Sequence, residues 1–381
     1  MVLGDLIINH DSKRVPLSAK EREFIKKVYP YYGAQGIIDY VEDYIFDGEY
    51  MLIAEDGENL RSRKMPIATI VSGKFWVNNH AHIVTANERS NLDFLCFWLN
   101  NADLSEYITG SAQPKLNQAN LNAIVLPDLS KEHQDAIAEA FCAFNNKINN
   151  NKSHITTLFE IITSFYEKLF TEEKNADCCN CSKERVNTSW ITKSVFDVIV
   201  EIKEKNKENF DYPVLSVVKE GEFKLSDEFF TKQVYSKSTS NYKVVKKNQI
   251  AYNPARANIG SIAMLKEHDA GLVSPIYVVF ETKEIITPTY FYYYMKQPMF
   301  LESIKHHAIG TTRQNFPFEA FKMFPIVVPP IELQLEFEKF AKPIEEKIAK
   351  LKEENEVLAE IRDTLLPKLM NGEISLEEGE K

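Results

Sequence analysis

The sequence predicts an α+β fold built from two diverged copies of one plan, each a globular part with a twisted mixed sheet followed by a long helix. The two helices are expected to form an antiparallel coiled coil. Three observations predict this architecture: an internal repeat at an offset of 200 residues, short β-rich runs between turn signals, and two long stretches with apolar residues at every seventh position. With 381 residues and 44% hydrophobic residues, the chain has material for more than one packed core.

The repeat is visible in short matching segments. Asn146-Lys147-Ile148 matches Glu346-Lys347-Ile348, and Ile124-Val125-Leu126-Pro127 matches Ile326-Val327-Val328-Pro329. Gln134 and Gln334 follow and are 200 residues apart. The predicted divisions are a first globular part at 1–130, a first helix at 131–170, a linker at 171–188, a second globular part at 189–330, a second helix at 331–372 and an acidic tail at 373–381.

Within each globular part, runs of β-branched and aromatic residues alternate with turn residues. These runs predict strands at Ile67–Val71, His82–Thr85, Lys243–Val245 and Ile276–Phe280. One apolar helix is expected in each part, at about Leu92–Tyr107 and about Thr289–His307. Each copy is expected to close with a strand, a proline turn and the long helix.

The long helices carry coiled-coil seams. In the second helix an unbroken apolar row runs from Phe337 through Leu351 to Leu365, with one residue in seven on the row. A helix of about 40 residues is roughly 60 Å long, so it must pair with something, and the other copy is the nearest partner. Antiparallel pairing sets Asn151 opposite Asn355. Either these asparagines pin the register of the coiled coil, or each faces water or a third chain.

Composition and charge limit the possible functions. The net charge of -10 excludes a histone-like DNA coat, but residues 189–330 carry 18 basic and 15 acidic groups and leave room for a local DNA-facing surface. Neither a secretory leader nor an apolar run of membrane-spanning length is visible, so a soluble, cytoplasmic protein is expected. The linker cluster Cys178-Cys179-Asn180-Cys181 has no second ligand pair, and we expect no metal there.

Several segments resemble one known family. Residues Arg362–Ile374, with the sequence RDTLLPKLMNGEI, resemble the closing helix of specificity subunits of Type I restriction-modification enzymes. Residues Tyr31–Tyr40, Asp47–Gly57 and Val77–Val84 resemble a common type of their target-recognition domain. The resemblance covers nearly the whole chain in the order of the family: recognition domain, helix, recognition domain, helix. The cysteine-containing linker and the looser match of the second domain depart from it.

The resemblance implies a protein that reads DNA without catalysis. Each recognition domain would read one half of a split, asymmetric target in double-stranded DNA, and the helices would fix the unread gap. Two methyltransferase subunits using S-adenosylmethionine and two motor-nuclease restriction subunits using ATP and Mg²⁺ are the implied partners. The cofactors would therefore be bound by those partners, with none in this chain and no membrane involved.

Base readout needs Arg, Asn or Gln on exposed loops, with Lys for phosphate. The candidates in the first domain are Gln35, Lys74, Asn78, Gln113 and Lys115. Those in the second domain are Lys237, Arg256, Asn258, Arg313 and Gln314. For each of them a solvated-loop or turn-capping role remains open. The glycine-led loops at Gly110 and Gly310 are polar in both copies, which favours phosphate over base contact.

Two other functions remain open. Asp269 followed by Glu281-Thr282-Lys283 has the order of a Mg²⁺-dependent nuclease, although such spacings arise readily in a chain with 26% charged residues. A coiled-coil assembly scaffold that reads no bases is the third possibility. A methyltransferase is disfavoured because Asn253-Pro254-Ala255-Arg256 lacks the second proline and the aromatic residue of the adenine-specific motif.

Overall fold

The computed structural model describes residues 1–111, 113–170, 190–226, 239–308, 315–370 and 373–374. Its internal contacts divide the chain into two compact units. Unit 1 comprises Met1–Asn151 and Glu354–Lys381, and unit 2 comprises Lys152–Glu353. Each unit therefore contains one globular part and one half of each long helix.

Unit 1 is built around a six-stranded sheet. Its strands are β1 (Ile7–Asn9), β2 (Tyr29–Gly33), β3 (Gly36–Val41), β4 (Phe46–Ala54), β5 (Ala68–Val77) and β6 (Ala81–Ala86). Its short helices are α1 (Ala19–Glu23), α2 (Asn59–Ser62), α3 (Leu92–Asn101) and α4 (Gln118–Ala123). The strand order is β1-β6-β4-β5-β2-β3, antiparallel except for the parallel pair of β2 and β5, so the sheet is mixed.

The central strand β4 is buried on both faces because alternate side chains enter two different clusters. Met51 and Ile53 pack in the larger core with the buried face of α3, whereas Leu52 packs with Phe46 and Phe75 in a smaller core on the other face. Asn91 caps the start of α3, and its side chain accepts a hydrogen bond from the Phe94 amide. This packing holds the ends of β4 and β6 in place.

Unit 2 repeats the same plan. Its strands are β7 (Ile191–Ser194), β8 (Ile199–Ile202), β9 (Leu215–Val217), β10 (Phe223–Leu225), β11 (Lys243–Lys246), β12 (Ile250–Tyr252), β13 (Ile262–Met264), β14 (Ala270–Val273), β15 (Val278–Thr282) and β16 (Pro325–Val328). Its shorter helices are α6 (Val195–Val198), α7 (Pro288–Met295) and α8 (Pro298–His307). The order β8-β15-β12-β13 matches β1-β6-β4-β5 of unit 1. A parallel bridge between Val214 and Leu272 lies beside the antiparallel pairs.

Three sequence-based expectations for individual elements are wrong. The helix expected at Thr289–His307 is two helices, because Pro298 lacks an amide hydrogen and begins α8 instead of continuing α7. The helix expected at Leu92–Tyr107 ends at Asn101, where the Arg63 guanidinium donates hydrogen bonds to the carbonyls of Leu99 and Ala102. More than one helix is present in each globular part.

The expected closing strand forms fully in only one copy. In unit 2, β16 pairs with β7 from Pro325↔Ser194 to Val328↔Ile191. In unit 1 the matching residues make only a single antiparallel bridge, between Val2 and Val125, with hydrogen bonds on either side of it. The pairing in unit 1 is antiparallel, as in unit 2, but it is too short to form a strand.

The two long helices, α5 (Lys131–Phe170) and α9 (Ile331–Met370), run antiparallel within each unit. In unit 1, Ile137 and Phe141 share a core with Leu369. In unit 2, the ring of Phe165 lies 4.1 Å from that of Phe340 between centroids. The predicted α+β fold with an antiparallel coiled coil is therefore confirmed.

Candidate nucleic-acid interface

Three loops of unit 1 meet at one end of the sheet and form what we call the polar edge of unit 1: Glu55–Gly57, Asn78–His80 and Gln113–Lys115. The Glu55 amide donates to the His80 carbonyl at 2.9 Å, and the Gly57 amide donates to the Pro114 carbonyl at 3.1 Å. The loops bound a cavity of about 360 Å³. Its lining residues are Arg14, Glu55, Asp56, Asn79, His80, Gln113 and Lys115.

Glu55 forms salt bridges with two cationic side chains of the polar edge. Its carboxylate accepts from Arg14 Nη1 at 2.8 Å and lies 3.3 Å from Lys115 Nζ. Burial opposes ionisation of Glu55, but the Arg14 hydrogen bond and the charge of His82 outweigh it and lower the pKa of Glu55. The Lys115 side chain remains 52% exposed, so its charge is available to a ligand.

A buried charged pair lies beneath the polar edge. His82 is 1% exposed; its Nδ1 lies 2.5 Å from Asp11 Oδ2 and its Nε2 lies 2.7 Å from the Leu116 carbonyl oxygen. Each ring nitrogen of His82 therefore lies within hydrogen-bond distance of an oxygen atom. Burial alone would raise the pKa of Asp11, but the hydrogen bonds from His82 and from the Ile83 amide lower it.

His80 projects from the same strand end into the cavity. Its Nδ1 lies 2.7 Å from Asp56 Oδ2, and its side chain is 49% exposed. The contact with Asp56 fixes the orientation of the ring. Arg14, Asp56 and His80 were not among the predicted site residues, although the run Glu55-Asp56-Gly57 belongs to a segment that resembles the family.

The structure brings three of the five predicted residues of the first domain together. Gln113 and Lys115 line the cavity. Gln35 lies beside the Glu55–Gly57 loop, since its Nε2 would be 3.7 Å from a Cβ atom at position 57. Asn78 is 6% exposed, and its Oδ1 accepts from the His80 amide, so its geometry is that of a turn-capping residue. Lys74 is exposed on β5 with its amine 4.5 Å from the Tyr44 ring centre, and it does not line the cavity.

The loop that begins at Gly110 is tightly constrained. Gly110 has φ +85°, and a Cβ atom there would lie 2.2 Å from the Gln113 carbonyl oxygen, so only glycine fits. The exposed Arg61 guanidinium donates to the carbonyls of Gly110 and Ser111 at 2.6 and 3.1 Å. A cation therefore stands beside the loop for which the sequence favours phosphate contact.

Unit 2 has a matching loop after β12. The Phe316 amide donates to the Pro254 carbonyl at 3.0 Å, as the Leu116 amide does to the Glu55 carbonyl at 2.8 Å in unit 1. Arg256 and Asn258 lie on the turn that follows, at the same end of the matching sheet. Lys237, Arg313 and Gln314 lie outside the described residues, as do the linker cysteines Cys178, Cys179 and Cys181.

The nuclease constellation does not assemble. Glu281 accepts a hydrogen bond from Gln249 at 2.8 Å, and Lys283 donates to the Asp197 carbonyl at 2.8 Å. Asp269 has a fully exposed side chain just before β14, in a different sheet from β15. The described part of the chain contains no cluster of three or more His, Cys, Asp or Glu side chains arranged to hold a metal ion.

Within the residues that the structure covers, none of the helices has both the length and the apolar character needed to cross a bilayer.

The chain is similar to several known proteins. The family model for the Type I restriction modification DNA specificity domain matches residues 2–158 and 193–360. The specificity subunit S.HindORF215P of Haemophilus influenzae is 39% identical over 122 residues, but that match covers only 32% of this chain and 30% of the relative. The specificity subunit of the Type I restriction enzyme MjaIX of Methanocaldococcus jannaschii is 23% identical over 309 residues, which cover 75% of this chain and 70% of the relative.

A solved structure shares the fold. The Type I restriction-modification S subunit from M. genitalium superposes with a TM-score of 0.62 at 15% identity, covering 97% of this chain and 95% of its own. The two matched regions of the family model each cover one globular part and the start of its long helix. The chain therefore belongs to the Type I restriction-modification DNA specificity family, whose members are DNA-recognition subunits and not enzymes.

Proposed function

We propose that this chain reads a bipartite, asymmetric target in double-stranded DNA, one half-site through each unit, and holds two methyltransferase and two restriction subunits on that target in the cytoplasm. S-adenosylmethionine, ATP and Mg²⁺ would act on those partners. The observation that carries the proposal is the repetition of one sheet plan in two units, each with polar loops joined at the same end of the sheet. The coiled coil would keep the two half-sites at a fixed spacing.

Within this proposal, the polar side chains named above divide by their chemistry. Gln35 has the paired donor and acceptor that read adenine, and Arg256 has the fork that reads guanine. Gln113 has the same amide group as Gln35 but belongs to the glycine-led loop at Gly110, for which phosphate contact is expected. Asn258 has the same chemistry as the glutamines. Lys115 and Lys74 carry point charges suited to phosphate. Lys237, Arg313 and Gln314 remain predictions from the sequence for the second half-site.

The direct test is methylome sequencing of a host that expresses a methyltransferase subunit of the same system with and without this chain. A gapped, asymmetric N6-methyladenine motif present only with this chain is the expected result. A stable complex without a new motif would favour the scaffold and contradict DNA reading.

Two substitutions at and beside the polar edge sharpen the test. Gln35→Ala should relax one or two positions in one half of the motif and leave the other half unchanged, because only unit 1 has lost a base contact. Lys115→Ala should weaken binding to all sequences alike and lower the slope of log affinity against log salt by about 1, because one phosphate contact is lost. Gln118→Ala, an exposed glutamine at the start of α4, is the matched control. Relaxation in both halves, or changed preference in Lys115→Ala, would contradict these assignments.

We further propose that Asn151 and Asn355 set the register of the coiled coil. Asn151 is 1% exposed, and its Nδ2 donates to Asn355 Oδ1 at 3.0 Å and to Glu354 Oε2 at 2.8 Å. A buried amide that is satisfied in one alignment penalises slipped alignments, in which it would lose these partners.

Replacing both asparagines by leucine should raise the free energy of unfolding, since a polar layer in a coiled-coil seam lowers stability. At the same time, the unread gap in the methylated motif should become heterogeneous. Denaturant titration and methylome sequencing of the double variant measure the two effects. The exchange Lys152→Leu, at the exposed neighbouring position, is the control. A variant with an unchanged single gap length would show that the asparagines do not set the register.

A further inference from the structure

The turn Asn253–Gly260 of unit 2 is rigid. Its backbone is closed by hydrogen bonds from the Ile259 amide to the Arg256 carbonyl at 3.2 Å and from the Gly260 amide to the Ala257 carbonyl at 3.0 Å. Ala257 is fully buried and anchors the turn in the core. Gly260 has φ +96°, and a Cβ atom there would lie 2.4 Å from the Lys219 carbonyl oxygen. The turn therefore packs closely against the backbone at Lys219.

This rigid turn presents an apolar side chain to solvent. Ile259 is 55% exposed and lies on the same turn as Arg256 and Asn258. A single exposed isoleucine is common on protein surfaces and needs no explanation by itself. Here, however, it lies on the loop that matches the polar edge of unit 1, directly after Arg256 and Asn258, two residues suited to DNA. Its stiff, β-branched side chain loses little conformational freedom when it is covered.

We propose that Ile259 reads a thymine in the half-site of unit 2 by packing against the C5-methyl group. That methyl is the apolar group that a base pair presents in the major groove, and it is read by apolar side chains. Arg256 supplies the charge that draws the turn toward DNA. The inference rests on the proposed function and deepens it, because it names the chemical group that one residue recognises.

The test uses the full chain in complex with its methyltransferase subunits and duplexes that carry the target sequence. Each thymine of the target is replaced in turn by deoxyuridine, which removes only the C5-methyl group. One replacement in the half-site of unit 2 should weaken wild-type binding about fourfold, the factor expected for one buried methyl group. The Ile259→Ala complex should bind the thymine and deoxyuridine duplexes equally well at that position, and Ile259→Val should give an intermediate ratio.

Ile285→Ala is the matched control. Ile285 is 40% exposed and follows β15 at the end opposite to the Asn253–Gly260 turn, so this variant should discriminate as the wild type does. If no thymine is sensitive, or if Ile259→Ala keeps the full discrimination, the proposal for Ile259 fails while sequence-specific binding still supports DNA reading. If the wild-type complex shows no preference for the target sequence, both the proposal for Ile259 and the proposed DNA reading are overturned.

Discussion

Replacing His82 by leucine should lower the free energy of unfolding of unit 1 by about 3–5 kcal/mol, the usual result of removing one partner of a buried ion pair. Leucine fills similar space but leaves the Asp11 carboxylate without its closest cation and the Leu116 carbonyl without a donor. Denaturant titration with hydrogen exchange measured on peptides of unit 1 would detect the loss. His133→Leu, at an exposed position of α5, should change stability by about 0.5 kcal/mol or less.

The pH dependence separates lost charge pairing from lost packing. Because the folded protein lowers the pKa of Asp11 below its ordinary value of 3.8, ionised Asp11 stabilises the fold above about that pH. This contribution disappears as the pH falls through the lower folded value. The His82→Leu variant should therefore show a shallower loss of stability on acidification below about pH 4. An equally steep loss in wild type and variant would show that His82 does not act through Asp11.

Replacing Gln334 by leucine should destabilise unit 2 by about 3 kcal/mol. The side chain is fully buried, accepts from the Thr287 amide at 2.8 Å, and donates to the carbonyls of Ile285 and Pro329 at 3.2 and 2.8 Å. Leucine leaves these three buried backbone groups without a partner, and each unsatisfied group costs about 1–3 kcal/mol before the chain relaxes. The variant would lose the link between the start of α9 and Thr287, the residue that caps α7.

Gln134 makes the same three contacts in unit 1. It accepts from the Asn91 amide at 3.1 Å and donates to the carbonyls of Arg89 and Leu129 at 3.3 and 3.0 Å. Gln134→Leu should therefore produce a similar loss confined to unit 1. Hydrogen exchange on peptides from each unit distinguishes the two variants, and Gln118→Leu is the exposed control. Losses no larger than that of the control would mean that water replaces the glutamine.

The parts of the fold that were predictable from sequence depend on local signals. The seven-residue apolar spacing around Phe337 and Leu351 is a property of neighbouring turns of one helix, so it predicts the coiled coil without knowledge of the sheets. The break at Pro298 was missed because the apolar run continues across it. The spacing of apolar residues predicts a helix whether or not one residue lacks an amide hydrogen, so it does not reveal that a proline interrupts the helix.

The site was less predictable because strand order assembles it. His82 and Asp11 are 71 residues apart, and only the pairing of β1 with β6 brings them together. Gln113 and Lys115 could be chosen as candidate DNA contacts from the sequence because of the chemistry of their side chains. The same chemistry also selected Asn78, since the sequence does not distinguish an exposed amide from one that caps a buried turn.

The division of the long helices between the units has a consequence for biosynthesis. Unit 1 uses residues from both the beginning of the chain and the segment from Glu354 onward, whereas unit 2 is continuous from Lys152 to Glu353. On the ribosome, Ile137 and Phe141 can pack against the globular part of unit 1 soon after they are made, but their contact with Leu369 forms only after more than two hundred further residues. The unit whose synthesis starts first is thus completed last.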